Sequence, residues 1–277
     1  MVHRHRAVAA HYAIRAALLA GLAYYIVLLV RTGSLDLYIA DRMQPYVKLS
    51  ALGLYVIASQ QLYSAVRALN DADVHAFDCG CDHEHELPSF RGRGILLYGW
   101  FALPLAFGFF VPDGQLGSVL ASAKGMQFAP GQIVQADDAY AAYGRRLFRQ
   151  PAVRISDDDF VPTLTTLDLY RGSFVGRTIS VSGFVFREDG MGPDRFGVGR
   201  FAISCCSADV TPYGLLVSFE RASSFDTDEW VIATGKLSLA RYRGTEVLQL
   251  EVEKAMSIPA PFEPYVSADA DVLVRLE

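Results

Sequence analysis

The stretch DCGCDHEHE, residues 78–86, holds the side chains best suited to bind a metal ion. Its candidate ligands are Cys79, Cys81, His83 and His85, and His75 is a further candidate. In an extended chain the four would lie along about 20 Å of one face, too far apart for one ion. The loop must therefore curl at Gly80, or Cys79/His83 and Cys81/His85 must pair across helical turns.

The mixture of thiolate and imidazole ligands in this loop suits zinc, copper(I), cobalt or nickel better than calcium or magnesium. Zinc is the expected ion, captured transiently near the membrane surface rather than stored in a structural site. The loop lacks the two well-separated ligand pairs of a zinc finger. The alternative interpretation is a solvated acidic loop whose cysteines and histidines are incidental.

A second pair of cysteines, Cys205 and Cys206, lies in a segment with the alternation of a β-strand. Adjacent strand residues point to opposite faces, and a disulfide between them would be strained. One interpretation places one thiol in a core and lets the other bind metal together with Asp209. The other interpretation packs both side chains in a small core.

The sequence contains none of the common catalytic motifs, such as a nucleophile elbow, a pair of zinc-protease histidines or a phosphate-binding loop. The carboxylates of residues 157–159 are more simply explained as a helix cap. The expectation is therefore a protein that is not an enzyme. An enzyme would need a reactive Cys205 or Cys206.

The composition points to a membrane protein, because 52% of the 277 residues are hydrophobic and the mean hydropathy is +0.22. Three spans are predicted, at about 13–31, 48–67 and 93–112, within a membrane domain of residues 1–115 that carries the Cys/His loop at 70–90. The second span is diluted by polar residues, so a buried or interfacial helix is its alternative. The first span offers no convincing signal-peptide cleavage site and is interpreted as an anchor.

Basic residues near the ends of the spans indicate an orientation. Arg4 and Arg6 precede the first span, and Arg67, Arg91 and Arg93 flank the loop between the second and third. A multi-pass protein of the cytoplasmic membrane is expected, with its N-terminus inside and its C-terminal domain outside. The formal net charge of −5 argues against nucleic acid as a partner.

Beyond the membrane domain, residues 116–171 are predicted to form a helical connector, with helices near 136–150 and from about 160 to 170. From residue 172 onwards the hydrophobic period becomes two, and five short strands are predicted in residues 172–277. Gly183 and Gly235 interrupt strands where a small barrel would bend. An OB-like β-barrel is expected, with a small sandwich as the alternative.

Three segments of the β domain, FVGRTISVSGFVF, RFAISCCSADV and DEWVIATGKL, follow three spans and an acidic Cys/His loop. This order and these segments resemble the YcgQ-like family of bacterial proteins that are predicted permease subunits, over essentially the whole chain. The resemblance implies that the protein works with a separate, larger multi-span permease in the lipid bilayer.

Together these features predict an accessory permease subunit linked to transition-metal homeostasis. The three predicted spans hold no ionisable pair of the kind expected in a self-contained transporter. The alternative function is a membrane-anchored extracellular β-barrel that binds a ligand and has no role in transport.

Overall fold

A computed structural model describes residues 2–70, 93–132 and 137–268, together with Leu273. The chain divides into two compact units. The first comprises residues 1–35 and 41–113, and the second comprises residues 36–40 and 114–277. The helices α4 to α7 therefore belong to the same unit as the strands.

The helices are α1 Val2–Thr32, α2 Gln44–Asn70, α3 Arg93–Phe110, α4 Ser118–Lys124, α5 Asp138–Phe148, α6 Phe160–Leu169 and α7 Arg171–Phe174. The strands are β1 Val153–Arg154, β2 Thr178–Phe186, β3 Arg195–Ile203, β4 Thr211–Ser218, β5 Trp230–Tyr242, β6 Thr245–Ser257 and β7 Tyr265–Ser267.

The first unit is helical, and α1 packs against α2 through small side chains. Every seventh residue along the contact is a buried alanine: Ala9, Ala16 and Ala23 on α1, and Ala51, Ala58 and Ala65 on α2. A repeat of seven keeps one stripe of each helix facing its partner. Residues 33–43 span at most about 40 Å when extended, less than the roughly 46 Å length of α1, so α2 returns antiparallel to it.

The third helix packs beside α1 in a parallel sense. The Nδ1 atom of the buried His11 lies 2.8 Å from the hydroxyl of Tyr98, near the start of α3. Further along, Gly21 lies against Leu105, and the rings of Tyr25 and Phe109 meet edge to face at 5.3 Å. The three helices thus run up, down and up.

One helix among the described residues, Arg6–Thr32, is long and apolar enough to cross a membrane. Its mean hydropathy reaches 2.1. The segment Leu96–Phe110 is a shorter apolar helix. The predicted helical N-terminal region is therefore confirmed, with one candidate membrane helix.

The second unit is built on a mixed β-sheet with the order β1-β2-β5-β6-β4-β3-β7 and an additional pairing of β2 with β3. The pairs β2–β5, β5–β6, β3–β4 and β2–β3 are antiparallel, whereas β4 and β6 are parallel. The five predicted strands are found as β2 to β6, but β3 ends at Ile203 and does not include Cys205 and Cys206 as predicted; the short β1 and β7 are additional. The five strands from β2 to β6 therefore form a closed ring of pairings, in the order β2-β5-β6-β4-β3 and back to β2.

Alternate residues of these strands fill one hydrophobic cluster, which α5 and α6 also enter. A second cluster contains the aromatic side chains of Phe184, Phe186, Phe201 and Trp230, together with Phe128 and with Ala121 of α4. Two backbone segments approach closely at Gly235, where β5 carries a bulge: a Cβ there would lie 2.0 Å from the carbonyl oxygen of Glu251. A strand glycine is required at this position because the obstacle is backbone.

Arg200 on β3 is the largest fully buried side chain of the described residues, at 1% exposure. Its Nη1 donates to Asp157 at 2.6 Å, and its Nε donates to the carbonyl of Pro264 at 3.2 Å. The guanidinium also lies 4.8 Å from the ring centre of Trp230. This arginine therefore joins the segment before α6, the strand β3 and the segment before β7.

Candidate functional site

The thiols of Cys205 and Cys206 lie in the turn that connects β3 to β4. Asp209 closes this turn, because its Oδ2 accepts a hydrogen bond from the backbone N–H of Cys205 at 2.8 Å and its Oδ1 accepts one from Ser204 at 3.3 Å. The backbone N–H of Asp209 donates in turn to the carbonyl of Cys206 at 3.0 Å. An aspartate that accepts from nearby backbone amides is a common way to fix a turn.

Two further segments of the second unit hold the same turn in place. Ile39 forms an antiparallel bridge with Cys206: Ala40 donates to the carbonyl of Cys205 at 3.1 Å, and Ser207 donates to that of Tyr38 at 2.8 Å. On another side, Lys124 Nζ donates to the carbonyls of residues 208 and 210, at 3.0 and 2.7 Å. The two thiols are therefore presented on an anchored backbone.

The geometry of the two thiols suits a shared soft metal ion. Their Sγ atoms are 3.8 Å apart and both cysteines are free. Two thiolates bound to one zinc ion at about 2.3 Å in tetrahedral geometry are also about 3.8 Å apart. The pair can thus supply two adjacent ligands without a change in the backbone.

Hydrogen bonds raise the pKa of the Cys205 thiol above its ordinary value of 9.0. Its hydrogen bond to Asp209 is the main cause, followed by that to Cys206, and together they raise its pKa to about 11. Burial acts to raise the pKa of Asp209, but hydrogen bonds from the Cys205 thiol and from nearby backbone amides outweigh it and lower that pKa. A metal ion would have to displace the thiol protons, so binding would strengthen as pH rises.

The placement of the cysteines corrects two expectations. Neither packs in a core, since Cys205 is exposed and Cys206 is half-buried. The two thiols do not point to opposite faces either, because the chain leaves β3 at Ile203 and turns. Asp209 lies beside the cysteines, and both of its oxygens accept hydrogen bonds from backbone amides.

The candidate ligands Cys79, Cys81, His83, His85 and His75 lie outside the described residues. Within the described ranges, no group of three or more His, Cys, Asp or Glu side chains is arranged to hold a metal ion. The cysteine pair therefore offers two ligands, and any others would come from beyond this turn.

Sequence reasoning did not find Lys124 or the segment 38–40 as parts of this site. Both are far from the cysteines in sequence, and neither carries a recognisable motif. Lys124 is the last residue of the short helix α4, and residues 38–40 meet the cysteine turn through backbone hydrogen bonds, which leave no signature in side-chain types.

Comparison with known proteins identifies relatives over nearly the whole chain. Residues 14–127 match the DUF1980 N-terminal domain, and residues 133–268 match the DUF1980 C-terminal domain. The chain is 28% identical over 284 residues to the UPF0703 protein YcgQ of Bacillus subtilis (strain 168), covering 91% of this chain and 98% of that relative.

Among solved structures, a small single-stranded DNA-binding protein from Streptomyces coelicolor aligns with 30% of this chain and 93% of its own, at 13% identity. The TM-score of 0.20 is too low for this likeness to carry an argument. The two DUF1980 domains follow each other in order, and the similarity to YcgQ extends across both. The chain therefore belongs to the YcgQ-like DUF1980 family.

Proposed function

We propose that the protein is an accessory subunit of a membrane permease, held in the cytoplasmic membrane by three helical spans and linked to transition-metal homeostasis. The observation that carries this proposal is the outward apolar surface of the helical unit. Large hydrophobic side chains are exposed along α2 and α3 as well as on α1, among them Leu52, Val56, Trp100, Phe101 and Phe107. A lipid bilayer is the environment in which such a surface is stable.

The lengths of the charge-free stretches support three spans. Residues 49–66 of α2 and residues 94–111 of α3 and its end contain no Asp, Glu, Lys or Arg. Eighteen helical residues measure about 27 Å, close to the roughly 30 Å of a bilayer core. Lys48, Arg67, Arg93 and Asp113 stand just outside these stretches, where charged side chains reach the interface.

The packing of α1 against α2 supports a subunit rather than a self-contained transporter. Alanines bring the two helices close together, as small residues do in membrane helix pairs. Ala23 is completely buried, and Ala16, Ala51, Ala58 and Ala65 are nearly so, which leaves no space for a polar pathway along this seam. A permeation route would then be supplied by a larger multi-span partner.

The β domain would form an OB-like barrel outside the membrane and bind the partner or gate its outer mouth. The closed pairing of β2 to β6 and the parallel β4–β6 pair support a barrel of this kind. On the inner side, Cys79, Cys81, His83 and His85 would capture a transition metal, with zinc the first choice. Cys205 and Cys206 would offer a second thiol ligand pair.

One purification tests both parts of this proposal. The tagged full chain is isolated in mild detergent from membranes of its native host and analysed for co-purifying proteins and for metal. A multi-span partner at near-equal amount is expected, together with a bound metal that is lost when Cys79, Cys81, His83 and His85 are replaced by alanine. Cys205→Ser/Cys206→Ser is the matched variant for the second thiol pair.

Each readout has its own contrary result. The subunit proposal would be contradicted if the chain purified from membranes of its native host without any multi-span partner. Absence of metal from wild-type protein after exposure to zinc, copper and nickel would contradict the link to metal homeostasis. Metal retained by the quadruple alanine variant but lost from Cys205→Ser/Cys206→Ser would move the metal site to the β domain.

A further inference from the structure

A groove on the surface of the second unit combines basic and aromatic side chains. It lies between α5 and the α6–α7 junction and has a volume of about 540 Å³, within the usual range for small-molecule sites. Its lining includes Gly144, Arg145, Phe148, Arg149, Tyr170 and Phe174. We name it the arginine groove, and it depends neither on a transport role nor on the cysteine pair.

The floor and walls of the arginine groove are fixed by packing. Gly144 allows α5 to approach α6, since a Cβ there would already lie 3.3 Å from side-chain atoms of Thr166 and Tyr170. Phe174 is buried at the base, and its ring meets that of Phe148 edge to face at 6.1 Å. A preformed apolar floor of this kind can hold a flat hydrophobic group.

Phe148 is held in the groove wall although half of its surface is exposed. The guanidinium of Arg177 lies 4.9 Å from its ring centre, and Nη2 of Arg177 donates to the backbone carbonyl of Phe148 at 2.9 Å. An exposed aromatic side chain that is held in place by such contacts is available for stacking with a ligand.

The charged side chains that line the groove are all positive. Arg145 and Arg149 are four residues apart and therefore share a face of α5 and its C-terminal cap. Neither guanidinium forms an ion pair within the described ranges, and no acidic side chain of those ranges lines the groove. The C-terminal end of a helix favours positively charged side chains, which would account for Arg145 and Arg149. This preference does not account for the aromatic side chains that line the groove beside them.

We infer that the arginine groove binds a small soluble organic anion, a phosphate ester or carboxylate that carries a flat apolar body. The anionic group would pair with Arg145 and Arg149, whose guanidinium geometry matches both phosphate and carboxylate oxygens. The apolar body would lie against Phe148, Tyr170 and Phe174. The hydroxyl of Ser173 at the rim could donate a further hydrogen bond to the anionic group.

Calorimetric titration of the full chain with 1-naphthyl phosphate tests this inference. The protein is held in nanodiscs of zwitterionic phosphatidylcholine, so that no anionic lipid competes with the probe. Saturable binding to wild type is expected. Arg145→Ala/Arg149→Ala should weaken the affinity at least about tenfold, because charge-assisted hydrogen bonds are lost. Inorganic phosphate should bind at least about tenfold more weakly than the probe, because it lacks the apolar body.

Two further variants separate the groove from general effects. Arg221→Ala/Arg241→Ala removes the same charge from exposed positions elsewhere and should bind like wild type. Ser173→Trp blocks the exposed rim without touching the core and should abolish binding. Equal loss of affinity in both double-alanine variants, or wild-type affinity in Ser173→Trp with an unchanged melting temperature, would overturn the inference. So would the absence of saturable binding to wild type.

Discussion

Among single residues, Asp209 has two roles in the turn that connects β3 to β4 and carries Cys205 and Cys206. It anchors the backbone by accepting from two amides, and it accepts a hydrogen bond from the Cys205 thiol, which is the main cause of the raised pKa of that thiol. The first role needs an oxygen acceptor, whereas the second is stronger when the acceptor is negatively charged. An asparagine at this position can keep the acceptor while it removes the charge, so the two roles are separable.

Asp209→Asn is therefore expected to accelerate alkylation of Cys205. The pKa of this thiol, raised from an ordinary value of 9.0 to about 11 in wild type, should fall, because a neutral amide accepts a weaker hydrogen bond from the thiol than a carboxylate does. Because the thiolate is the nucleophile, the rate at pH 8 should rise at least about tenfold. The measurement is iodoacetamide labelling of Cys205 against pH, read by peptide mass spectrometry with Cys206 and its hydrogen bond left in place.

The exposed and distant carboxylate Glu220 supplies a control for this experiment. Glu220→Gln removes the same charge from the far end of β4 and should leave the labelling rate unchanged. An Asp209→Asn protein whose labelling profile coincides with that of wild type would show that the carboxylate does not control the thiol.

At the scale of elements, the bulge of β5 depends on a glycine that touches backbone. Gly235→Ala should destabilise the β domain by about 3 kcal/mol or more, because a Cβ placed 2.0 Å from the Glu251 carbonyl forces two strands apart. Gly172→Ala in α7 is the matched control. No atom lies within 4 Å of its Cβ position, so the change should be neutral or slightly stabilising.

Thermal unfolding of both glycine variants, followed in detergent by circular dichroism in the β region, measures this difference. A melting temperature of Gly235→Ala within a degree or two of wild type would mean that the bulge can relax. In that case the close approach of β5 to β6 would not explain why glycine occupies this position.

At the scale of the whole molecule, the orientation in the membrane is open to a direct test. We expect a cysteine introduced by Asp189→Cys, in an exposed turn of the β domain, to react with an impermeant maleimide in intact cells. The native Cys79 and Cys81 should react only after lysis, because the basic residues around their loop favour the inner side. The reverse pattern, or equal labelling of both, would contradict the proposed topology.

The parts of this protein that depend on local periodicity could be predicted from the amino-acid sequence. The apolar run of α1 and the strand periods of β2, β4, β5 and β6 are short-range patterns, and these elements formed where their patterns predicted, whereas β3 ends at Ile203 instead of continuing through the cysteines. The helices α5 and α6 also lie close to their predicted bounds. The predicted capping of α6 by the carboxylates of residues 157–159 is not seen, because the Asp159 side chain makes no capping hydrogen bond and Asp157 pairs with Arg200. The family resemblance was equally readable, since it depends on segments such as RFAISCCSADV.

Contacts between residues far apart in the chain could not be predicted in this way, because they depend on tertiary packing. The closing of β2 on β3 and β5, the burial of Arg200 and the arginine groove all depend on pairings that no local pattern encodes. The cysteine pair shows the reason most clearly. Its strand-like alternation predicted opposite faces, but Asp209, Lys124 and residues 38–40 bind the backbone there and turn both thiols to one side. A local preference for strand structure is worth at most about 1 kcal/mol per residue, so a few such hydrogen bonds can outweigh it.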